Sequence, residues 1–186
     1  MRVWPVLDTP ATIHPWSLES CGLHLLSVGQ GLVSISGAAW PANNRIIYVP
    51  FWLQKPAQPR GFFFMPWGPG LGSYDVGVLS KDGVRLARTG VTELPSPNPG
   101  PDQPPQYVPV AIPLLGVGLH YIALWGVATT LSVWGRNQSS VSVASWMGLL
   151  QQAGGAGGIP AQATFARLSS ALVPMVGIVF DDRVFV

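Results

Sequence analysis

The chain has 186 residues, only 10% of them charged, and its ten basic and eight acidic side chains leave a net charge of +2. Charges scattered singly form no basic stripe that could follow a row of phosphates, so we expect no nucleic-acid partner. The one cysteine, Cys21, excludes an intrachain disulfide and a thiolate metal site.

This composition favours strands over helices. The 22 Gly and 19 Pro are costly inside helices and common in the turns between short strands. The length suits one domain, with or without an arm. We therefore predict an all-β fold. A surface so poor in charge also predicts association with copies of the same chain or with another protein.

Residues 1–20 are predicted to form an extended N-terminal arm. Trp-Pro, Thr-Pro and His-Pro pairs push the residue before each proline into extended geometry and disfavour a helix. Trp4 and Trp16 lie outside any strand that we predict and need a groove on the body or on a neighbouring subunit, so both are candidate assembly contacts. The arm lacks the continuous apolar core of a secretory signal, which predicts synthesis without secretion.

The remainder, residues 21–186, is predicted to be one β-sandwich domain. Its first strands are expected over 23–28, 32–35 and 45–53, the third being dense in β-branched and aromatic residues. Pro50 predicts a bulge or a sheet edge within that strand. Residues 60–72 place three Phe before a Gly-Pro loop, which predicts a strand that ends in a turn.

The segment YDVGVLSKDGVRLARTG, residues 74–90, is predicted to form a hairpin. Apolar residues alternate along its first half, and an Asp-Gly pair favours positive φ at the tight turn. The return strand should place Val84 and Leu86 on one face and Arg85 and Ala87 on the other. Its polar face and turn are expected to be solvated.

Six prolines occur in residues 95–106, so this segment cannot supply the backbone hydrogen bonds of a sheet. We consider two roles and favour the first, a long crossover between sheets. The second role is a contact surface for a partner. In that role Pro97, Pro99 and Pro101 are candidate assembly contacts.

The uncharged residues 114–133 are long enough to span a bilayer as a helix. Internal glycines, prolines just upstream and the lack of flanking Lys or Arg clusters argue against a spanning helix, so we expect no membrane partner. We predict two buried strands, LHYIALWGV and TTLSVWG. Both faces of the first should be covered, with Leu119, Tyr121, Ala123 and Trp125 on one and His120, Ile122 and Leu124 on the other.

Toward the end of the chain we predict a short helix over 146–152 and a flexible connection over 151–158. A last strand is expected in LVPMVGIVF, residues 172–180, followed by the polar-to-apolar ending DDRVFV.

The sequence carries no recognisable catalytic motif. The histidines at 14, 24 and 120 lie in none, no Gly-x-Ser-x-Gly elbow occurs, and adjacent Asp181 and Asp182 would point to opposite faces of a strand. Nor do His, Cys, Asp and Glu show metal-site spacing. We therefore expect no enzyme activity, no metal and no cofactor.

Two binding hypotheses from different classes follow. In the first, the protein is a structural subunit that uses an uncharged, aromatic-rich surface and its arm to bind neighbours. In the second, it is a carbohydrate-binding module that recognises host-surface glycans, with Trp67 and Trp134 as candidate residues that stack on sugar rings.

Four segments resemble one group of proteins: NNRIIYVPFWLQKP, YDVGVLSKDGVRLARTG, GVGLHYIALWGVATT and LVPMVGIVF. Their succession, over about residues 43–180, is similar to that in small β-sandwich structural proteins of tailed-bacteriophage virions. The chain departs from that pattern at Leu79, where an aromatic residue is common, and in its Pro-rich insert.

This resemblance implies a jelly-roll-like antiparallel β-sandwich and a virion accessory subunit of the capsid-decoration, head-fibre or tail-associated type. Its implied partners are copies of itself, in a trimer or another cluster, and the major capsid or tail proteins. The implied location is the virion, after synthesis in the host cytoplasm.

Overall fold

The structure is a computed structural model that describes residues 23–26, 36–53, 55–66, 72–93, 106–127, 132–137, 148–155, 157–169 and 172–180. Every regular element in these ranges is a β-strand, and every strand pairing is antiparallel. The predicted all-β antiparallel fold is therefore confirmed, whereas the jelly-roll connectivity stays a prediction. The described ranges contain no helix with the length and apolar character needed to cross a membrane.

Fourteen strands lie in the described ranges. In chain order they are β1 Leu23–Leu26, β2 Ser36–Ala39, β3 Arg45–Leu53, β4 Gly61–Phe64, β5 Ser73–Ser80, β6 Arg85–Arg88, β7 Thr92–Glu93, β8 Gln106–Pro109, β9 Gly118–Gly126, β10 Ser132–Asn137, β11 Leu150–Ala153, β12 Ala166–Arg167, β13 Leu172–Pro174 and β14 Val176–Val179.

These strands form three sheets. The large sheet has the order β12-β11-β3-β9-β5-β6, with β7 also paired to β5. The second sheet has the order β1-β14-β4-β8, and the third has the order β13-β10-β2. In chain order, the Pro-rich segment follows β7 of the large sheet and precedes β8 of the second sheet. This connectivity agrees with its predicted role as a crossover between sheets.

The main core lies between the large sheet and the other two sheets, since Val133 of β10 and Leu172 and Val173 of β13 also belong to it. Alternate apolar side chains of β3, β5 and β9 share one buried cluster with Phe62 and Phe64 of β4 and with Val176 and Ile178 of β14. The rings of Phe64 and Tyr74 pack across the layers with their centroids 4.3 Å apart. Each such side chain contributes about 1.5–3 kcal/mol when it leaves water, so this layer stabilises the sandwich.

A second layer covers the outer face of the large sheet. We call residues 157–167 the strap. Its Ile159, Ala163 and Phe165 pack on Tyr48, Trp125 and neighbouring side chains of the outer face. The ring of Phe165 lies 5.0 Å from that of Tyr48 and 4.7 Å from that of Tyr121, measured between centroids. Because both faces of its central strands β3, β5 and β9 are largely buried, those strands consist mostly of apolar residues.

Backbone hydrogen bonds anchor the strap in its middle and at its C-terminal end. At the hairpin turn, Arg85 donates its N–H to Ala161 at 2.9 Å, and Ala163 donates to Gly83 at 2.9 Å. At the far end, β12 pairs with β11. The strap thus crosses from the β6 side of the sheet to the β11 side.

The predictions for β3 and β9 are confirmed. β3 has the predicted limits, 45–53, and pairs with β9 along its full length without a register shift. In β9, Ile122 and Leu124 enter the inner cluster, whereas Tyr121, Ala123 and Trp125 enter the outer one. β11 pairs with β3 only as far as Tyr48, so among the described strands Pro50 lies where β3 becomes an edge.

The hairpin is confirmed, but the predicted alternation of its return strand is wrong. Gly83 has φ +82°, as the Asp-Gly turn requires. A register shift follows, since Val78 pairs with Ala87 and Leu79 pairs with Arg85. This bulge lets Leu86 and Ala87 both pack against the inner core, while Val84 is 47% exposed.

The predictions for residues 150–153 and for residues 172–180 differ from the structure. Residues 150–153 form β11 instead of a helix end and a flexible link, because the edge of β3 offers them a backbone partner. LVPMVGIVF is two strands, since the chain leaves the third sheet at Met175 and continues in the second. The strand over 23–28 is described only as far as Leu26, and the strand over 32–35 lies outside the described residues.

Candidate functional site

Large apolar side chains are exposed at one end of the sandwich. Trp52 is 64% exposed, Leu114 is 63% exposed and Val117 is 59% exposed. We call these three residues the end patch. They lie on two segments that run antiparallel, because Trp52 pairs with Leu119 and Ala57 forms an isolated bridge with Leu115. The N–H···O distances of that bridge are 3.0 and 2.9 Å.

The local structure explains why these side chains are exposed. In β3, Trp52 follows Ile46 and Tyr48 on the outer face, but the outer cluster that contains Ile46, Tyr48 and the strap does not include it. In the second segment, the Ala57 bridge buries Leu115 to 1% exposure and leaves its neighbour Leu114 outside. The backbone hydrogen bonds between Ala57 and Leu115 therefore also leave the Leu114 side chain exposed to solvent.

The surroundings of the end patch are nearly free of charge. Lys55 is the one charged residue between positions 46 and 59, and residues 106–127 contain none. Covering an exposed Trp or Leu side chain releases about 1.5–3 kcal/mol. A patch of this kind therefore suits contact with another uncharged, apolar protein surface.

Among the side chains that the structure describes, one charged group is completely buried. The Asp75 carboxylate on the outer face of β5 has 0% exposure. It accepts a hydrogen bond from the Ile159 backbone N–H at 2.9 Å and one from the Thr89 hydroxyl at 3.1 Å. Arg88, whose side chain is one-third exposed, lies 3.3 Å away and forms an ion pair with it. This finding corrects the expectation that the polar face of the hairpin is solvated.

The groups around Asp75 fasten the strap to the hairpin. The Arg88 guanidinium also donates to the carbonyl of Gly157 at 2.9 Å, and Arg85 donates to the carbonyl of Ile159. The strap passes so close to the carboxylate that Gly158, at φ +82°, has no room for a Cβ atom. Asp75 therefore has a structural role, because its partners satisfy it within the fold.

Most of the site residues predicted from the sequence are not described. Trp4, Trp16, Trp67, Pro97, Pro99 and Pro101 lie outside the described residues. Trp134 lies in β10, opposite Gly37 of β2.

Two other tryptophans are buried. A tryptophan that stacks on a sugar ring must lie at the surface, so neither can do so. Trp40 and Trp125 are each 2% exposed. Trp40 donates its Nε1–H to the carbonyl of Arg45 at 3.1 Å. Of the tryptophans with described side chains, Trp52 is the exposed one. The position of Trp52 near the end of a predicted strand was the one sequence feature that indicated its exposure. The sequence of β3 could not show that the strap leaves Trp52 uncovered.

The buried titratable side chains His120, Tyr48 and Tyr74 contact groups of the fold itself. His120 stacks on Phe51 with centroids 5.4 Å apart, and its Nδ1 lies 3.1 Å from the carbonyl oxygen of Gly118. Burial raises the pKa of the Tyr48 and Tyr74 phenols above the ordinary value of 10.0. In the part of the chain that the structure describes, no three His, Cys, Asp or Glu side chains gather as they would around a metal ion.

No protein-family model, curated protein or solved structure matches the chain. The resemblance to phage virion proteins therefore stays a prediction, which depends on the four segments quoted above. Three of those segments contain β3, β5 and β9, which are neighbours in the large sheet. The fourth contains β13 and β14. The resemblance therefore concerns strands that build the sandwich.

Proposed function

We propose that the protein is a non-enzymatic structural or accessory subunit of a tailed-bacteriophage virion. It attaches to the capsid or tail surface as a decoration or fibre-type subunit, in a trimer or another cluster of copies. The observation that carries this proposal is the end patch, Trp52, Leu114 and Val117, on a sandwich with very few charges. Such an apolar surface favours a partner that covers it.

The construction of the sandwich supports the same function. The inner and outer clusters bury both faces of the large sheet, so the chain folds around its own core and leaves the end patch for contacts between subunits. The central strands resemble those of virion β-sandwich proteins. We therefore infer that the virion is the assembly in which such contacts occur.

The composition of purified particles tests this function. Particles of the phage that encodes the protein are purified and quantified by mass spectrometry, and the subunit is located by electron microscopy. We expect it in the particles at a high copy number that matches a symmetry of the capsid or tail. Recovery in the soluble lysate alone, with none in particles, would contradict the proposal.

A further inference from the structure

An open groove of about 490 Å³ runs along one edge of the second sheet. It lies between the residues that lead into β4 and those that form and follow the edge strand β8. Its lining includes Gln58, Pro59, Arg60, Tyr107 and Pro109. The volume falls within the range of small-molecule sites, roughly 300–1,000 Å³.

An aromatic ring and two prolines form the apolar part of the groove. The ring of Tyr107 lies so close to Gly61 that a Cβ atom there would be 2.8 Å from its Cε2. Its hydroxyl donates a long hydrogen bond, 3.4 Å, to the carbonyl of Arg60, so the ring lies beside the start of β4. Pro59 and Pro109 add rigid apolar surface beside the ring. Rings held in this way can stack on the C–H face of a sugar.

The polar part of the groove combines an acceptor with a cation. The Gln58 side-chain amide donates to the carbonyl of Ile112, and no described residue donates to its Oε1 atom. The Arg60 side chain is exposed, and neither of the two ion pairs in the described ranges includes it. The groove therefore offers several N–H donors for an anion and an oxygen that accepts from a hydroxyl.

We propose that this groove binds a saccharide that carries a carboxylate, such as a sialic acid or a uronic acid. The Tyr107 ring stacks on the sugar, Arg60 donates to the carboxylate, and Gln58 accepts from a hydroxyl. Inorganic phosphate offers no apolar face for Tyr107, and a neutral sugar leaves the Arg60 guanidinium without an anion. This site goes beyond the assembly function and uses residues other than the sequence-based candidates Trp67 and Trp134.

Calorimetric titration of the full chain tests the proposal. The probes are sialyllactose and digalacturonate, their neutral counterparts lactose and galactobiose, and inorganic phosphate. We expect at least one acidic sugar to bind about tenfold more tightly than its counterpart, and Arg60→Gln to abolish that difference. Arg60→Lys should keep part of it, since lysine retains the charge but not the bidentate geometry. Tyr107→Leu should weaken binding of the acidic sugar.

Matched controls separate this site from general charge. Arg167→Gln removes an exposed arginine of β12 in the large sheet and should leave the affinity unchanged. Thermal unfolding of each variant shows whether it is folded, and should Arg60→Gln fail to fold, Arg60→Lys and Arg167→Gln carry the comparison. Equal affinity for acidic and neutral sugars, displacement by phosphate, no binding by either acidic sugar, or an equal loss in Arg167→Gln would overturn the proposal.

Discussion

The carboxylate of Asp75 accepts the backbone N–H of Ile159, a residue 84 positions later in the chain, at 2.9 Å. This buried hydrogen bond joins the hairpin to the strap and so connects the large sheet to the layer that covers it. Neither group has contact with water, so each depends on the other.

Replacing Asp75 should therefore destabilise the protein strongly. Asp75→Ala leaves the Ile159 N–H buried without an acceptor and removes the anion beside Arg88, at a cost of about 3 kcal/mol. The matched control is Asp82→Ala, which removes an aspartate of the same hairpin that is 67% exposed and pairs with Lys81. We expect about 0.5 kcal/mol or less from that control. Urea unfolding measures both, and equal losses would mean that the buried network contributes nothing special.

Gly158 provides a second test of how closely the strap approaches Asp75. Gly158→Ala places a Cβ less than 3.0 Å from the Asp75 carboxylate and from a Val91 methyl group. Gly90 has the same φ of +82°, and a Cβ atom added there would have no other atom within 4 Å. Gly90→Ala therefore measures only the unfavourable free energy of a left-handed backbone for alanine, about 1 kcal/mol. We expect Gly158→Ala to lower the unfolding free energy by clearly more than Gly90→Ala. Similar values in thermal and urea unfolding would show that the strap can move away at no cost.

The buried tyrosines predict loss of stability in alkali. Burial raises the pKa of Tyr48 and Tyr74, so the phenols of the unfolded chain ionise first, near 10.0. The stability from the neutral phenols is fully present below that pH and is lost as the pH rises above it, by about 1.4 kcal/mol per pH unit for each phenol.

Tyr48→Phe should make the alkaline loss less steep, although it also removes the hydrogen bond from Tyr48 to Gln152 at 2.8 Å and lowers stability at neutral pH. Unfolding free energies measured at several pH values on both sides of 10.0 provide the comparison. A parallel pH dependence in the two proteins would show that Tyr48 ionises freely in the folded state.

Polar substitutions in the end patch should weaken association without unfolding the subunit. Trp52→Ser combined with Val117→Ser removes side chains that are 64% and 59% exposed, so the core stays intact. The control is Val84→Ser at the hairpin turn, where the valine is 47% exposed. Light scattering coupled to gel filtration should show a smaller assembly for the double variant and an unchanged one for the control. An unchanged assembly in both would place the subunit contacts elsewhere.

The strands of the large sheet could be predicted because their apolar residues follow the two-residue repeat of a strand. In β9 this repeat assigned Ile122 to one covered face and Tyr121 to the other, as observed. The all-β fold followed from the same repeat together with the many Gly and Pro residues.

Features that depend on distant partners could not be predicted. Asp75 stands at a polar position of an alternating strand, and its burial depends on the strap. Gln151 and Gln152 are not among the residue types enriched in strands, yet β11 exists because β3 offers an edge and because Arg45 and Tyr48 bind their side chains. The groove beside Tyr107 likewise combines two segments that are separated in the chain.

The strap covers the outer faces of β3, β5 and β9 and is synthesised after all three strands. Until it leaves the ribosome, Ile46, Tyr48 and Trp125 have no cover and can adhere to other nascent chains. The order of translation thus leaves the outer face of the large sheet without its cover until the strap has been made.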